Sequence, residues 1–213
     1  MNKAIFSSTF PLSHLLIDGI KITYEANALH LSKFFSLEDL LKFQKLLEES
    51  QLSPKTAYIK VLEWQKKAPT NPALDNLLTY LHLRHKQVGK AEKLIEESYQ
   101  KHSEYFFAKI NYADQSLRKG DLEKIPLIFP SLNLKELFPL RDSFHVSEYR
   151  GFMTLLGHYY IALKDTNSAK ACYQNAYTAD PTHPSVIILE KKLYPKRPFT
   201  KLLQKIIQLA RIS

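Results

Sequence analysis

The sequence contains a single cysteine, Cys172, which excludes an internal disulfide and any cysteine-based zinc site. That usage fits a reducing compartment. Five glycines in 213 residues are too few for an all-β chain, which spends glycine on tight turns. No apolar run reaches the ~18 residues that a membrane-spanning helix needs. The opening stretch MNKAIFSSTFPLSHLLIDGI has an early lysine, but Ser7, Ser8, Ser13, His14 and Asp18 interrupt its apolar residues and argue against a secretory signal. A cytoplasmic location is expected. Also absent are G-x-S-x-G, a Walker loop and G-x-G-x-x-G, so common hydrolase layouts and phosphate-cradling loops lack support.

What the chain has in excess is positive charge, +9 overall, unevenly spread. From residue 190 onward Lys191, Lys192, Lys196, Arg197, Lys201, Lys205 and Arg211 face only Glu190, so this end carries +6 and the preceding 189 residues +3. The run PFTKLLQKIIQLARIS reads as a basic amphipathic helix capped by Thr200, with Leu202, Leu203, Ile206, Ile207, Leu209 and Ala210 on its apolar side. Three readings stand for it: a solvating cap over the last unit of an array, a contact with an anionic membrane through Lys201, Lys205 and Arg211, or a contact with an acidic partner or a second copy. Nucleic acid is not the expected partner, because the run has one aromatic, Phe199, and no groove-reading motif.

Near the N-terminus Asp18-Gly19 separates two apolar runs, a type I′ hairpin signal, and Ile20, Ile22 and Tyr24 alternate with Lys21, Thr23 and Glu25. A two-stranded unit of this kind holds only when it packs on something else. From Ser36 the spacing turns helical. Ser36 with Glu38 and Asp39 is an N-cap with acid in the first turn. Ser53-Pro54 opens a second helix, which Pro69 and Pro72 stop. PALDNLLTYLHLRHK and GKAEKLIEESYQKH form the next pair, then EYFFAKINYADQSLRKG and DLEKIPLIFPSLNL, then SEYRGFMTLLGHYYIALKD and TNSAKACYQNAYTAD.

These pairs keep a register. Ala57 to Ala91 is 34 residues, Ala91 to Ile125 is 34, and Ile125 to Ala169 is 44, a 34-residue step with ten inserted. Val61, Ile95, Phe129 and Tyr173 each follow those anchors by four residues. Pro126 and Pro130 fall inside the second helix of the third pair and are expected to shorten or kink it.

The segment Arg150–His183 resembles a tetratricopeptide repeat. Met153, Leu156, Gly157 and Tyr160 stand where that family's first helix shows large, large, small and aromatic residues, and Ala169, Tyr173, Ala176 and Pro181 match its second helix and closing proline. Upstream the likeness weakens: Leu78, Ala91 and Ile95 fit, Thr79 and His82 replace the small and aromatic pair, and Tyr112, Ala113, Gly120 and Phe129 fit in the third unit. The resemblance implies an all-α, right-handed superhelical array of about four helix-turn-helix repeats, near 38–71, 72–105, 106–139 and 150–183, with residues 1–36 a small N-terminal element and 184–213 a basic capping segment. In such a stack Gly157 lets a neighbouring helix come close, with Ala169 and Ala176 as small faces.

The same resemblance implies a concave groove lined by first helices and suited to a partner peptide, with Lys42, Leu46, Asn76, Tyr80, Phe107, Ile110, Asn111, Asp114, Arg118, Thr154 and His158 facing it. Members that hold the C-terminal carboxylate of heat-shock chaperones use a basic and asparagine cluster there. Asn76 and Asn111 suit that role, whereas Tyr80 and Ile110 stand where further polar donors are wanted. Of the other reactive groups, Cys172 reads as a buried structural thiol, His82 and His85 share a helix face with cationic neighbours that repel a metal, and Glu48-Glu49 and Glu96-Glu97 split across helix faces. The expected function is a non-enzymatic scaffold or adaptor that binds a polypeptide without metal or cofactor. The alternatives are a chaperone for secreted proteins, resembling the type III secretion class though longer and more basic, and a peripheral membrane assembly factor using the C-terminal run.

Overall fold

The computed structural model describes residues 14–25 and 31–195. Among these the chain is mostly helical: α1 (Leu37–Leu52), α2 (Pro54–Lys67), α3 (Pro72–Arg84), α4 (Val88–Lys101), α5 (Phe106–Lys119), α6 (Lys124–Ile128), α7 (Leu134–Leu137), α8 (Val146–Ala162), α9 (Thr166–Ala179) and α10 (Pro184–Leu193). Three short strands accompany them, β1 (His14–Ile17), β2 (Ile20–Thr23) and β3 (Ser143–His145). No described helix is long and apolar enough to cross a membrane.

Local chemistry accounts for most of the element ends. Ser36 Oγ accepts from the Asp39 N–H at the head of α1, as its position predicts. Asn71 Oδ1 accepts from Ala73 and Leu74 at the head of α3, while its amide donates to the Phe34 carbonyl. Ser53 precedes α2 but makes no capping bond; Pro54 at the first helical position does the work of starting that helix. Gly120, with φ +87°, closes α5 in the left-handed conformation.

The 34-residue register is written in burial. Ala57, Ala91, Ile125 and Ala169 are all completely enclosed, and Val61, Ile95, Phe129 and Tyr173 are buried one turn later. Each small anchor lets its helix lie close to a neighbour, and the following larger residue fills the space between them. Successive helices pack as pairs α1–α2, α3–α4 and α8–α9, with α2 on α3 and α4 on α5.

The third pair breaks the pattern. DLEKIPLIFPSLNL does not form a full helix: α6 is five residues long, because Pro126 has no N–H for a helical bond and Pro130 forces Phe129 into extended backbone. With this helix cut short, α5 packs directly against α8. The inserted residues carry α7 and β3 instead. Arg141 makes a two-pronged contact with Glu148, Nη2 to Oε2 at 2.6 Å and Nη1 to Oε1 at 3.2 Å, and its guanidinium lies 4.1 Å from the Phe144 ring centre. That anchors the insertion to the first turn of α8.

The hairpin signal at Asp18-Gly19 is realised. Both residues have positive φ (49° and 74°), the geometry of a type I′ turn, and β1 pairs antiparallel with β2 from His14↔Thr23 to Ile17↔Ile20. Its support is a third strand: β3 runs parallel to β2 with Ile22 opposite Phe144. The hairpin sits far along the chain from its own neighbours. Tyr24 Oη donates to the Ala179 carbonyl at 2.6 Å, and Asn175 donates to Asp18 at 3.2 Å. Ile17 and Ile22 therefore join the core under α5–α10, while α1–α4 and Phe35 enclose a separate core.

At Gly157 the close neighbour is α10 rather than the paired helix α9. A Cβ there would lie 2.5 Å from Leu189 Cδ2, and Leu189 is fully enclosed. Ala169 and Ala176 are buried on α9, as the repeat pattern implies.

Candidate functional site

Residues expected at one groove separate into three sets. Leu46, Ile110 and Thr154 are buried: Ile110 packs on Gly151 across the α5–α8 contact, and Thr154 donates to the Gly151 carbonyl at 3.1 Å. Ile110 and Thr154 are therefore core residues and not groove-facing, because the shortened α6 brings α5 and α8 together over them. Asn76, Asn111 and Phe107 form a half-buried seam. Asn111 Nδ2 donates to Asn76 Oδ1 at 2.8 Å, so the two amides suited to a carboxylate engage one another, and Phe107 lies between the two cores. In the outer set Tyr80 and Arg118 are exposed and Asp114 and His158 half-buried, and Lys42 is exposed on α1 beside Glu38. Lys201, Lys205 and Arg211 lie outside the described residues.

Three of the outer set meet in a cleft of 360 Å³ between α5, α8 and α10, lined by Asp114, Leu117, Arg118, His158, Ile161, Ala162 and Lys192. Asp114, Leu117 and Arg118 have the i, i+3, i+4 spacing that puts side chains on one helix face, and His158, Ile161 and Ala162 repeat it 44 residues on. Lys192 follows His158 by 34. Tyr80 precedes Asp114 by 34, Leu83 precedes Leu117, and Arg84 precedes Arg118. Equivalent positions of successive units thus supply a polar row ending in Lys192, an apolar row, and a third row of Arg84, Arg118 and Ala162. Leu117, Ile161, Ala162 and Lys192 were not among the expected groove residues, although helical spacing from Asp114 and His158 and one further 34-residue step lead to all four.

Charge in the cleft is partly spent internally. Arg118 Nε donates to Asp114 at 3.0 Å and the same guanidinium stands 3.9 Å from Glu92. Lys192 and Arg84 are exposed and, among the described residues, make no ion pair. The enclosed Nδ1 of His158 has no hydrogen-bond partner. Burial, with Lys192 nearby, holds that imidazole below its ordinary range, and Asp114 opposes the shift. The cleft therefore offers an apolar floor, unpaired positive charge and one unsatisfied ring nitrogen.

Elsewhere, reactive side chains serve the fold. Cys172 is buried and its thiol is pushed up to about 11 by desolvation. His82 and His85 flank Tyr58, with their Nδ1 atoms engaged by Gln87 and the Leu81 carbonyl. His145 and His183 cap α8 and α10, each accepting through Nδ1 from the N–H of the serine two residues on, around the Arg150–Asp180 pair. No group of three or more metal-ligating side chains converges among the described residues. No family model, curated protein or solved structure matches the chain.

Proposed function

We propose that the protein is a non-enzymatic interaction scaffold: a tetratricopeptide-like superhelical array that holds a segment of a partner polypeptide along the face of α3, α5, α8 and α10. The observation that supports this reading is the periodic lining of that face. Tyr80, Asp114 and His158 occupy one position of three successive units, Lys192 on α10 continues the same step, and the last three border a single cleft. A surface that repeats unit by unit matches a ligand that also repeats along its length, which is what a polypeptide offers. The apolar floor of Leu117 and Ile161 supplies desolvation, and the polar rim supplies orientation.

Ala162 provides the test, because it is exposed at the cleft and touches no core. The Ala162→Trp variant of the full chain is expected to melt with the wild type while losing the polypeptide that immobilised wild type retains from native extract. Equal recovery by the two proteins would overturn the groove reading.

A further inference from the structure

The cations on this face are spread out, and that spacing says something about the ligand. Arg84, Arg118 and Lys192 stand on α3, α5 and α10, with α8 between the last two, and these four helices touch in succession. Acids on the same face are Asp114 and Glu92, and both already lie against Arg118. Arg84 and Lys192 keep their charge uncompensated, on either side of that neutralised centre. Beside them runs the apolar row Leu83, Leu117 and Ile161, of which Leu83 is 43% exposed.

Building on the groove reading, we propose that the partner segment is acidic and amphipathic, presenting internal Asp or Glu side chains to Arg84 and Lys192 and apolar side chains to the row between them. A single C-terminal carboxylate cannot satisfy cations carried on separate helices. Packed helices lie about 8–10 Å apart and an extended chain advances about 3.3 Å per residue, so each helix step takes about three residues, and Arg84 and Lys192, three steps apart, are met by carboxylates about nine residues apart with apolar side chains between them. An extended segment with that spacing meets the two cations and the apolar row at once. Two asparagines that might otherwise receive a terminal carboxylate, Asn76 and Asn111, are bonded to each other.

Defined peptides and the full-length protein test this by calorimetry. The probe is a Glu-Leu-Ser repeat, acetylated and amidated, so that its only carboxylates are side chains. Its controls are the matching Gln-Leu-Ser repeat, capped in the same way, and that control with a free C-terminus. The acidic probe is expected to bind, with affinity falling steeply as salt is raised from about 50 to about 300 mM, and the two controls are expected to bind about tenfold or more weakly. Arg84→Glu with Lys192→Glu should remove binding of the acidic probe with only a small fall in melting, since neither side chain has an ion-pair partner to lose and each sits in the last turn of its helix. Lys55→Glu with Lys66→Glu, the same charge change on exposed α2 positions, should leave it within about twofold. The proposal is overturned if either control peptide matches the acidic probe, if the Arg84/Lys192 variant still binds, or if the α2 variant loses as much. Should that happen while Ala162→Trp still abolishes partner retention, the acidic chemistry is wrong and the groove stands. If Ala162→Trp also has no effect, both readings fail.

Discussion

The core beneath α1–α4 and the core shared by the sheet with α5–α10 are both aromatic, the second through Phe106, Phe129, Phe138, Phe144 and Phe152, but they enclose charge differently. In the first, aromatic and aliphatic groups meet: Phe35 stacks on Phe43 at 4.7 Å and both rings touch Trp64. Its buried acid, Asp75, has the neutral partner Gln65 at 2.7 Å, and burial raises its carboxyl above the ordinary range. In the second, charges are enclosed as pairs, Arg141 with Glu148 and Arg150 with Asp180. The long contacts of the first core, Asn71 to Phe34 and Phe34 to Tyr105, span less than half the chain, whereas the second is closed across about three quarters of it by Tyr24 on Ala179 and Asp18 on Asn175. One region resembles a stack that grows helix by helix; the other is stapled by residues from distant parts of the chain. The difference teaches that a degenerate repeat can be rescued by long-range polar contacts where the local helix pairing has failed.

The largest break in this contrast should come from Glu148→Ala. It removes the carboxylate that pairs with Arg141 and that accepts from the His145 N–H at the head of α8, and the expected loss is about 3 kcal/mol. Trp64, the chain's single tryptophan, sits in the first core, so its fluorescence follows α1–α4 alone. In urea the helical circular dichroism should show an earlier transition while the Trp64 transition stays in place. Coincident shifts of both would mean that the two cores unfold as one.

Acid should come next and act on the second core. His145 and His183 are held at about 4, chiefly by burial and then by Arg150, against an ordinary 6.5. Their capping bonds need an unprotonated Nδ1. Between pH 6.5 and about 4 the unfolded chain therefore binds protons that the folded chain refuses, and stability falls as pH falls through that window. Above it these groups add no slope. His145→Asn with His183→Asn keeps a capping oxygen without a titrating ring, and denaturation midpoints of that variant should vary less across the window; an unchanged slope would contradict the assignment.

Gly157→Leu tests the seam between α8 and α10. Overpacking against Leu189 should cost about 1–3 kcal/mol, again with the Trp64 transition unmoved. The smallest effect is expected in the first region. Lys60 bonds Glu49 at 2.7 Å on an exposed surface, and Lys60→Ala should change stability by less than about 1 kcal/mol. A larger loss would mean that ion pairs matter as much there as in the second core.

Much of this arrangement could be read ahead of the coordinates, and particular residues show why. The anchors Ala57, Ala91 and Ala169 are legible because helices in contact need a small side chain at a fixed place in each turn. Asp18-Gly19 is legible because few residue pairs accept two positive φ angles in succession. Pro126 and Pro130 announce a shortened helix, since the missing N–H is a property of the residue itself. By contrast, β3 is three residues with no turn signal of its own, and it forms only because β2 offers an edge to pair with. Asn76, Ile110 and Thr154 share one register position, yet the first is half-buried while the other two are core, because the loss of a full sixth helix draws α5 onto α8.

Local chain chemistry alone therefore settles the helix pairs, their 34-residue step, the hairpin turn and the rows of residues that recur along one face. Those features depend on backbone conformation and side-chain size within a turn or two. The docking of the hairpin on α9, the choice of α10 as the neighbour of Gly157, and the cleft that gathers Asp114, Arg118, His158 and Lys192 belong to the tertiary structure. They depend on which distant surfaces exclude water together: the 34-residue step aligns the cleft residues along one face, but not the closure of α5, α8 and α10 around them.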